Sequence, residues 1–440
     1  MKSTPPLERS VDSRNATGIT PLMNAAMNGN VQAVKLLIEK GADPSLKDNS
    51  GLNSLHFAAI GGDTDIISLI HTRMPDIESL NGEGETPLLV AAYNGKLHAV
   101  KWFLERGANA TYEDKGGWNA LHSAAYNGDA ETIDYILTHV QAIESKTADG
   151  ETPLIIAVRH QKLQGVKCLL EKGANPLAKD NEGQDSLYYS SSRDPDLLGL
   201  VLSHVADSST SVSEDNKELN QLDSAERDSD VTRMKSTPPL ERSVDSRNET
   251  GITPLMNAAM NGNVQAVELL IKRGADPSLT DDSGSNSLHF AAAGGDTDII
   301  YLIHTLMPDI DSLNGEGETP LLVAANSGKL HAVKWFLERG AEATYEDKGG
   351  WNALHSAAFS GDPGTIDHIL TRMQAIESRT ADGATPLIIA VFCRKLQGVK
   401  CLLERGANPL AKDNNGKNSL HHASCDSDLL DLVLSYVPDS

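Results

Sequence analysis

The chain has 440 residues, 39% of them hydrophobic and 4% aromatic, with 61 Asp and Glu against 38 Lys and Arg for a formal charge of −23. That length exceeds one ordinary core, so it predicts two or more domains or an elongated array, packed mainly with Ala, Leu, Ile and Val. The charge argues against a general nucleic-acid binder or a protein drawn to anionic lipid, and no apolar run approaches the ~18 residues of a membrane span.

Met1–Pro6 leads into charged residues rather than an apolar stretch, so no secretory signal is expected. Cys168, Cys393, Cys401 and Cys425 form no C-x-x-C pair, which predicts free thiols in a reducing compartment, the cytoplasm or the nucleus.

In chain order, residues 1–14 read as an N-terminal arm and residues 15–205 as the first array of repeats. In its first unit, Thr20 is a helix N-cap and Pro21 suits the first helical turn, where no N–H is needed. Leu22, Ala25 and Ala26 make a narrow apolar stripe that lets neighbouring helices approach closely. Gly29 ends that helix. Val34, Leu36 and Leu37 carry the apolar side of a second, and Gly41 caps it in left-handed geometry. The polar stretch from Asp43 to Gly51 supplies a turn or hairpin.

This unit recurs with Gly18, Gly51, Gly84, Gly117, Gly150 and Gly183 at strict intervals of 33 residues. Units two and four depart from it. Asn53-Ser54-Leu55 and Asn119-Ala120-Leu121 replace Thr-Pro-Leu, and neither unit has a Gly-Ala-Asp after its second helix, which predicts an alternating array. The sixth unit is degenerate at Tyr188–Ser191 and reads as a cap with a polar outer face. Residues 206–247 follow as a linker plus a duplicated arm, and Ala206–Arg233 is rich in Ser, Asp and Glu without apolar period.

The second array, 248–440, is a copy. Met1–Arg14 returns unchanged as Met234–Arg247, and the match runs without a gap to Ser191 and Ser424, with 33 of 191 aligned positions differing. No single unit can bury its own faces; stacking does it.

These motifs, twelve times in register, resemble the ankyrin repeat, whose pattern is G-x-T-P-L-H-x-A-A followed by L-L-x-x-G-A-D. The resemblance covers roughly 15–205 and 248–437. It implies an all-α ankyrin-repeat solenoid of helix-turn-helix units with β-hairpin or turn connections, in two tandem arrays. It also implies backbone hydrogen bonding by His56, His122, His289 and His355.

Chemistry is nearly absent from the pattern. Gly82-Glu83-Gly84 lacks the third glycine and the Lys-Ser/Thr of a phosphate loop. Asp63, Asp65, Glu83 and Glu85 sit on solvated turns, without the burial a general acid requires. His421, His422 and Cys425, with Cys393 one unit earlier, bring zinc-type ligands together in one copy only; their spacing matches no standard zinc module, and a degenerate cap is the simpler reading. The expectation is a non-enzymatic protein with no cofactor and no metal.

In the ankyrin family, ligands meet the hairpin tips and the concave face of the first helices. Carried over position by position, the resemblance implies partner-binding residues Leu52, Ile60, Tyr93, Trp118, Tyr126 and Arg159 in the first array, and Ala293, Asn326, Trp351, Phe359 and Phe392 in the second. Trp118 and Trp351 read either as binding anchors or as residues tucked against the next hairpin. The positions after the small-residue pair differ between copies (Ile60/Ala293, Tyr93/Asn326, Tyr126/Phe359, Arg159/Phe392), by divergence of the gripped partner or by drift at exposed sites. The expected function is a monomeric protein-protein interaction scaffold or adaptor that binds proteins or peptides, basic surfaces favoured, with no general nucleic-acid binding and no membrane. The alternatives are a regulator that occludes an enzyme or transcription factor, and a metal-dependent activity at His421, His422 and Cys425.

Overall fold

The computed structural model describes residues 11–192, 194–205 and 243–437. The acidic linker read at Ala206–Arg233 lies outside them, as do residues 1–10 of the arm. The chain divides into two compact units, one built on Met1–Ser190 and the other on Ala225–Ser440.

Each unit is a stack of helix pairs. In the first, the first helices are Pro21–Met27, Ser54–Gly61, Pro87–Tyr93, Ala120–Asn127 and Pro153–Arg159, and each is followed by a second helix: Val31–Glu39, Thr64–His71, Leu97–Leu104, Ala130–Leu137 and Leu163–Glu171. First helices pack on first helices of the neighbouring repeats, and second helices on second helices. The other unit repeats this from Pro254–Met260 to Leu396–Glu404 and closes with Ser419–Ala423 and Ser427–Leu434. The architecture is the all-α solenoid expected. Its connections are turns, and among the described residues one isolated antiparallel bridge, Thr280 with Asn286, stands where hairpins were expected.

Helix starts follow the sequence signals. Thr20, Thr86 and Thr152 accept the N–H three residues on and are followed by Pro in the first turn. Repeats two and four reach the same end differently. Asn53 accepts the N–H groups of Leu55 and His56, while the His56 ring returns to the Asn53 N–H. The Asn53 amide also donates to Ser79 Oγ at 2.9 Å, and that of Asn119 to Ser145 Oγ at 3.0 Å. Those serines lie in the stretch after the second helix, where these repeats lack a left-handed glycine. The two departures from the pattern are therefore one device.

The small pairs keep the stack tight. Ala58, Ala59, Ala91, Ala92, Ala124 and Ala125 are wholly buried. Gly165, inside a second helix, lies so close to the preceding repeat that a Cβ there would stand 3.0 Å from Gly128 Cα. Neighbouring loops are stitched by one main-chain bond per junction: Asn49 N–H to Thr17 O, Gly82 to Ser50, Lys115 to Glu83, Ala148 to Gly116 and Asn181 to Asp149, at 2.8–3.1 Å. At Gly51, in the second of these tips, φ is 82° and a Cβ would fall 2.5 Å from Gly82 N. The invariant spacing of 33 follows from this stitching, because one extra residue in the tip would throw its partner out of register.

Candidate partner-binding face

The four family-position histidines are core groups. His56, His122, His289 and His355 are 0–1% exposed. Their Nε2 atoms lie 2.9–3.1 Å from the carbonyls of Glu85, Ser145, Glu318 and Ser378. Burial drives the values of His56, His122 and His355 down to about 4, and that of His289 down as well. They tie one repeat to the loop that follows, the backbone role the resemblance implied.

The zinc-type residues do not assemble. His421 turns its Nδ1 to Asn418 Oδ1, His422 turns Nε2 to Asp413 Oδ2 at 3.3 Å, and Cys425 is exposed. Among the described residues no group of three or more His, Cys, Asp and Glu is placed to hold a metal ion. All four cysteines are free thiols. Among the described residues no helix is long and apolar enough to cross a membrane.

The residue after each loop glycine proves to be turned inward rather than presented at a tip. Asp48, Asn81 and Asp114 fold their side chains over the N–H of Leu52, Glu85 and Trp118. The same inward-turned residues close each loop by accepting a main-chain bond. Leu52, Trp118 and Trp351 are half-buried in consequence, and Glu151 is only 6% exposed. The true tips are the residues just before each glycine. Each indole leans on its own repeat rather than on the adjacent hairpin. Trp118 leans on Tyr126 of its own repeat, with centroids 5.9 Å apart and edge-to-face, and Trp351 does the same on Phe359 at 5.9 Å.

Of the other implied residues, Ile60, Tyr126 and Ala293 are half-buried, and Tyr93, Arg159, Asn326, Phe359 and Phe392 are exposed. In the first array they merge into one strip. Tyr93 stacks on Tyr126 with centroids 4.6 Å apart, and Tyr126 meets His160 at 4.4 Å. Hydrogen bonding to Tyr126, with burial, pushes the Tyr93 phenol up to about 12. Beyond His160, Arg159 pairs with the buried Glu151, which holds its guanidinium in the charged form, and lies over the Tyr189 ring at 5.9 Å. A hollow of about 250 Å³ opens here among Asp149, Glu151, Arg159, Asp180, Glu182 and Tyr189.

The second array has a different floor at the same positions. Ala384 and Phe392 replace Glu151 and Arg159, and His422 replaces Tyr189. A hollow of about 420 Å³ results, walled by Trp351, Phe359, Ile388, Ile389, Phe392 and Cys393 and rimmed by Asp382 and Asp413. Backbone bonding from Lys417 holds the Asp413 carboxyl below the usual range. A second hollow, about 320 Å³, lies alongside and shares Trp351 and Phe359; its polar wall is Glu316, Glu318 and Asp347. The sequence places Glu318, Glu151 and Ala384 beside the loop glycines, at the family's tip positions, but gives no signal that Glu316 and Asp347 share the wall or that the changes at Glu151 and Arg159 belong together.

Comparison with known proteins agrees with this architecture. The family model described as "Ankyrin repeats (3 copies)" matches residues 7–81, 55–147, 236–305, 288–375 and 359–439, and that for a single ankyrin repeat matches 149–181. Palmitoyltransferase AKR1 of Lachancea kluyveri is 35% identical over 146 residues, 32% of this chain and 20% of that protein. The nuclear factor NF-kappa-B p105 subunit of Gallus gallus is 32% identical over 171 residues, 38% of this chain and 17% of its own length. The chain thus spans a fifth or less of these curated relatives. Among solved structures, the human ASB11 ankyrin repeat domain matches at 23% identity and a TM-score of 0.45, covering 59% of this chain and 100% of that one.

Proposed function

The chain belongs to the ankyrin-repeat family, and from that premise we propose that it is a non-enzymatic interaction scaffold or adaptor whose two arrays each grip a partner protein or peptide on the exposed face of their first helices. One observation carries the reading. Along that face the side chains of successive repeats join into a continuous strip, from Tyr93 through Tyr126 to His160 in one array and from Asn326 through Phe359 to Phe392 in the other. An exposed aromatic strip on a rigid stack is preorganised for contact, since little order is lost when a partner covers it. The charge of −23 favours partners with basic surfaces. Two tethered arrays add avidity wherever both engage one assembly. The free thiols fit a reducing compartment, cytoplasmic or nuclear, and the functional unit is a monomer.

Photo-crosslinking tests this. With benzoylphenylalanine placed at Tyr93 or Phe359 of the full chain, discrete partner adducts are expected from cell extract; at Tyr135 or Tyr301, on the second helices, they are not. Adducts confined to the second helices would overturn the reading.

A further inference from the structure

A few of the differences between copies fall on side chains that touch one another. In the first array Arg159 and Glu151 are an ion pair; in the second, both members are gone and Phe392 with Ala384 stand in their place. Losing only the arginine would strand a buried carboxylate, and losing only the glutamate would leave the guanidinium unpaired over Tyr189. Tyr93, which stacks on Tyr126, gives way to Asn326 beside Phe359, and the space its ring fills in one array belongs to a hollow in the other. Drift at independent exposed sites has no reason to replace contacting partners together. Meanwhile the loop acids Glu316, Glu318 and Asp347 are the same as Glu83, Glu85 and Asp114.

The product is a two-part site. One half is an apolar hollow within the ~300–1,000 Å³ range of ligand pockets, floored by Phe392, which is 71% exposed. The other half carries three carboxylates, and the Trp351–Phe359 pair forms the wall between. An exposed phenyl of this kind gains from being covered, and the acids beside it select the charge of whatever covers it.

Resting on the scaffold reading, we infer that the third to fifth repeats of the second array bind an extended peptide segment that puts a Trp, Phe or Leu side chain into the Phe392 hollow and a neighbouring Lys or Arg against Glu316, Glu318 and Asp347. The first array does not take this ligand, because the Arg159–Glu151 ion pair stands where the Phe392 hollow opens and sets charge against the incoming apolar side chain. The Glu151/Arg159 and Ala384/Phe392 exchange is the specificity switch between the copies.

The probe is a phage-displayed library of random linear peptides panned on the full chain. Enriched peptides are expected to carry an aromatic or leucine within a few residues of a Lys or Arg. Their affinity should fall at least ~10-fold in the A384E/F392R double variant, which restores an ion pair the fold already accommodates, and also in F392A. E316Q/E318Q should weaken binding several-fold and flatten its salt dependence. The reverse exchange, Y93N/E151A/R159F, should add a second site per chain. Peptides that bind but respond only to Tyr93→Ala would overturn this inference while leaving the scaffold reading intact. Enriched peptides without a base would overturn the charge half. Self-association of the chain that requires Phe392 would name a second copy as the occupant and refute the peptide. No enrichment, with crosslinked partners still captured on the first helices, would sink this inference alone.

Discussion

Lowering the pH should loosen the arrays well before their carboxylates titrate, and the buried histidines set the size of the effect. An imidazole of ordinary value 6.5 is held at about 4 in the fold for His56, His122 and His355. The unfolded chain therefore binds more protons between those values. The stability each histidine contributes is complete above pH 6.5 and is lost as the pH falls toward 4. At pH 5 the loss is about 2 kcal/mol for each such group relative to pH 7. The test is His122→Leu, which removes the titrating ring but keeps an apolar filling, as Leu89 provides in the preceding repeat. At pH 7 it should cost ~1–3 kcal/mol, because the Ser145 carbonyl loses its 2.9 Å partner. Between pH 7 and pH 5 its further loss should be about 2 kcal/mol smaller than in the parent protein. Hydrogen–deuterium exchange on peptides around 119–145, corrected for intrinsic rates, reads both quantities. An acid-induced loss of equal size in parent and variant would show that His122 is not the group being protonated.

Two further outcomes follow from packing. Gly165→Ala ought to stabilise a helix interior by ~1 kcal/mol from propensity alone, but the added methyl would press on Gly128, so the crowding cost of ~1–3 kcal/mol should win and lower the urea midpoint; a raised midpoint would refute the close approach. Thiol labelling at neutral pH should modify exposed Cys425 first and leave Cys401, 7% exposed and pushed up to about 12 by burial and Asp367, protected until the second array unfolds; equal rates would contradict that environment.

Much of this fold was legible because its signals are local. Thr20-Pro21 caps a helix by its own chemistry, and the positive φ of Gly41 and Gly107 needs no knowledge of neighbours. The alternation of repeats was legible too, though its cause was not: the Asn53 amide reaches Ser79 across 26 residues, a bond that no local pattern encodes. Of the face, the row after the small-residue pair was readable from spacing, and Tyr93, Phe359 and Phe392 stand exposed on it. The loop side was misread. A residue next to a turn glycine looks exposed, yet the Asp114 carboxylate wraps over the Trp118 N–H and rolls the indole onto Tyr126. Pairing across a loop, as between Glu151 and Arg159, depends on where the backbone returns, which composition and period do not specify.

The main-chain stitches between loop tips have a mechanical consequence. Each joins one repeat to the next and reaches no further, so tension applied along an array is borne in series, junction by junction. Such a stack should give way like a zip fastener, shedding its outermost tooth and re-engaging it when slack returns, while the teeth behind stay meshed and whatever they hold stays held.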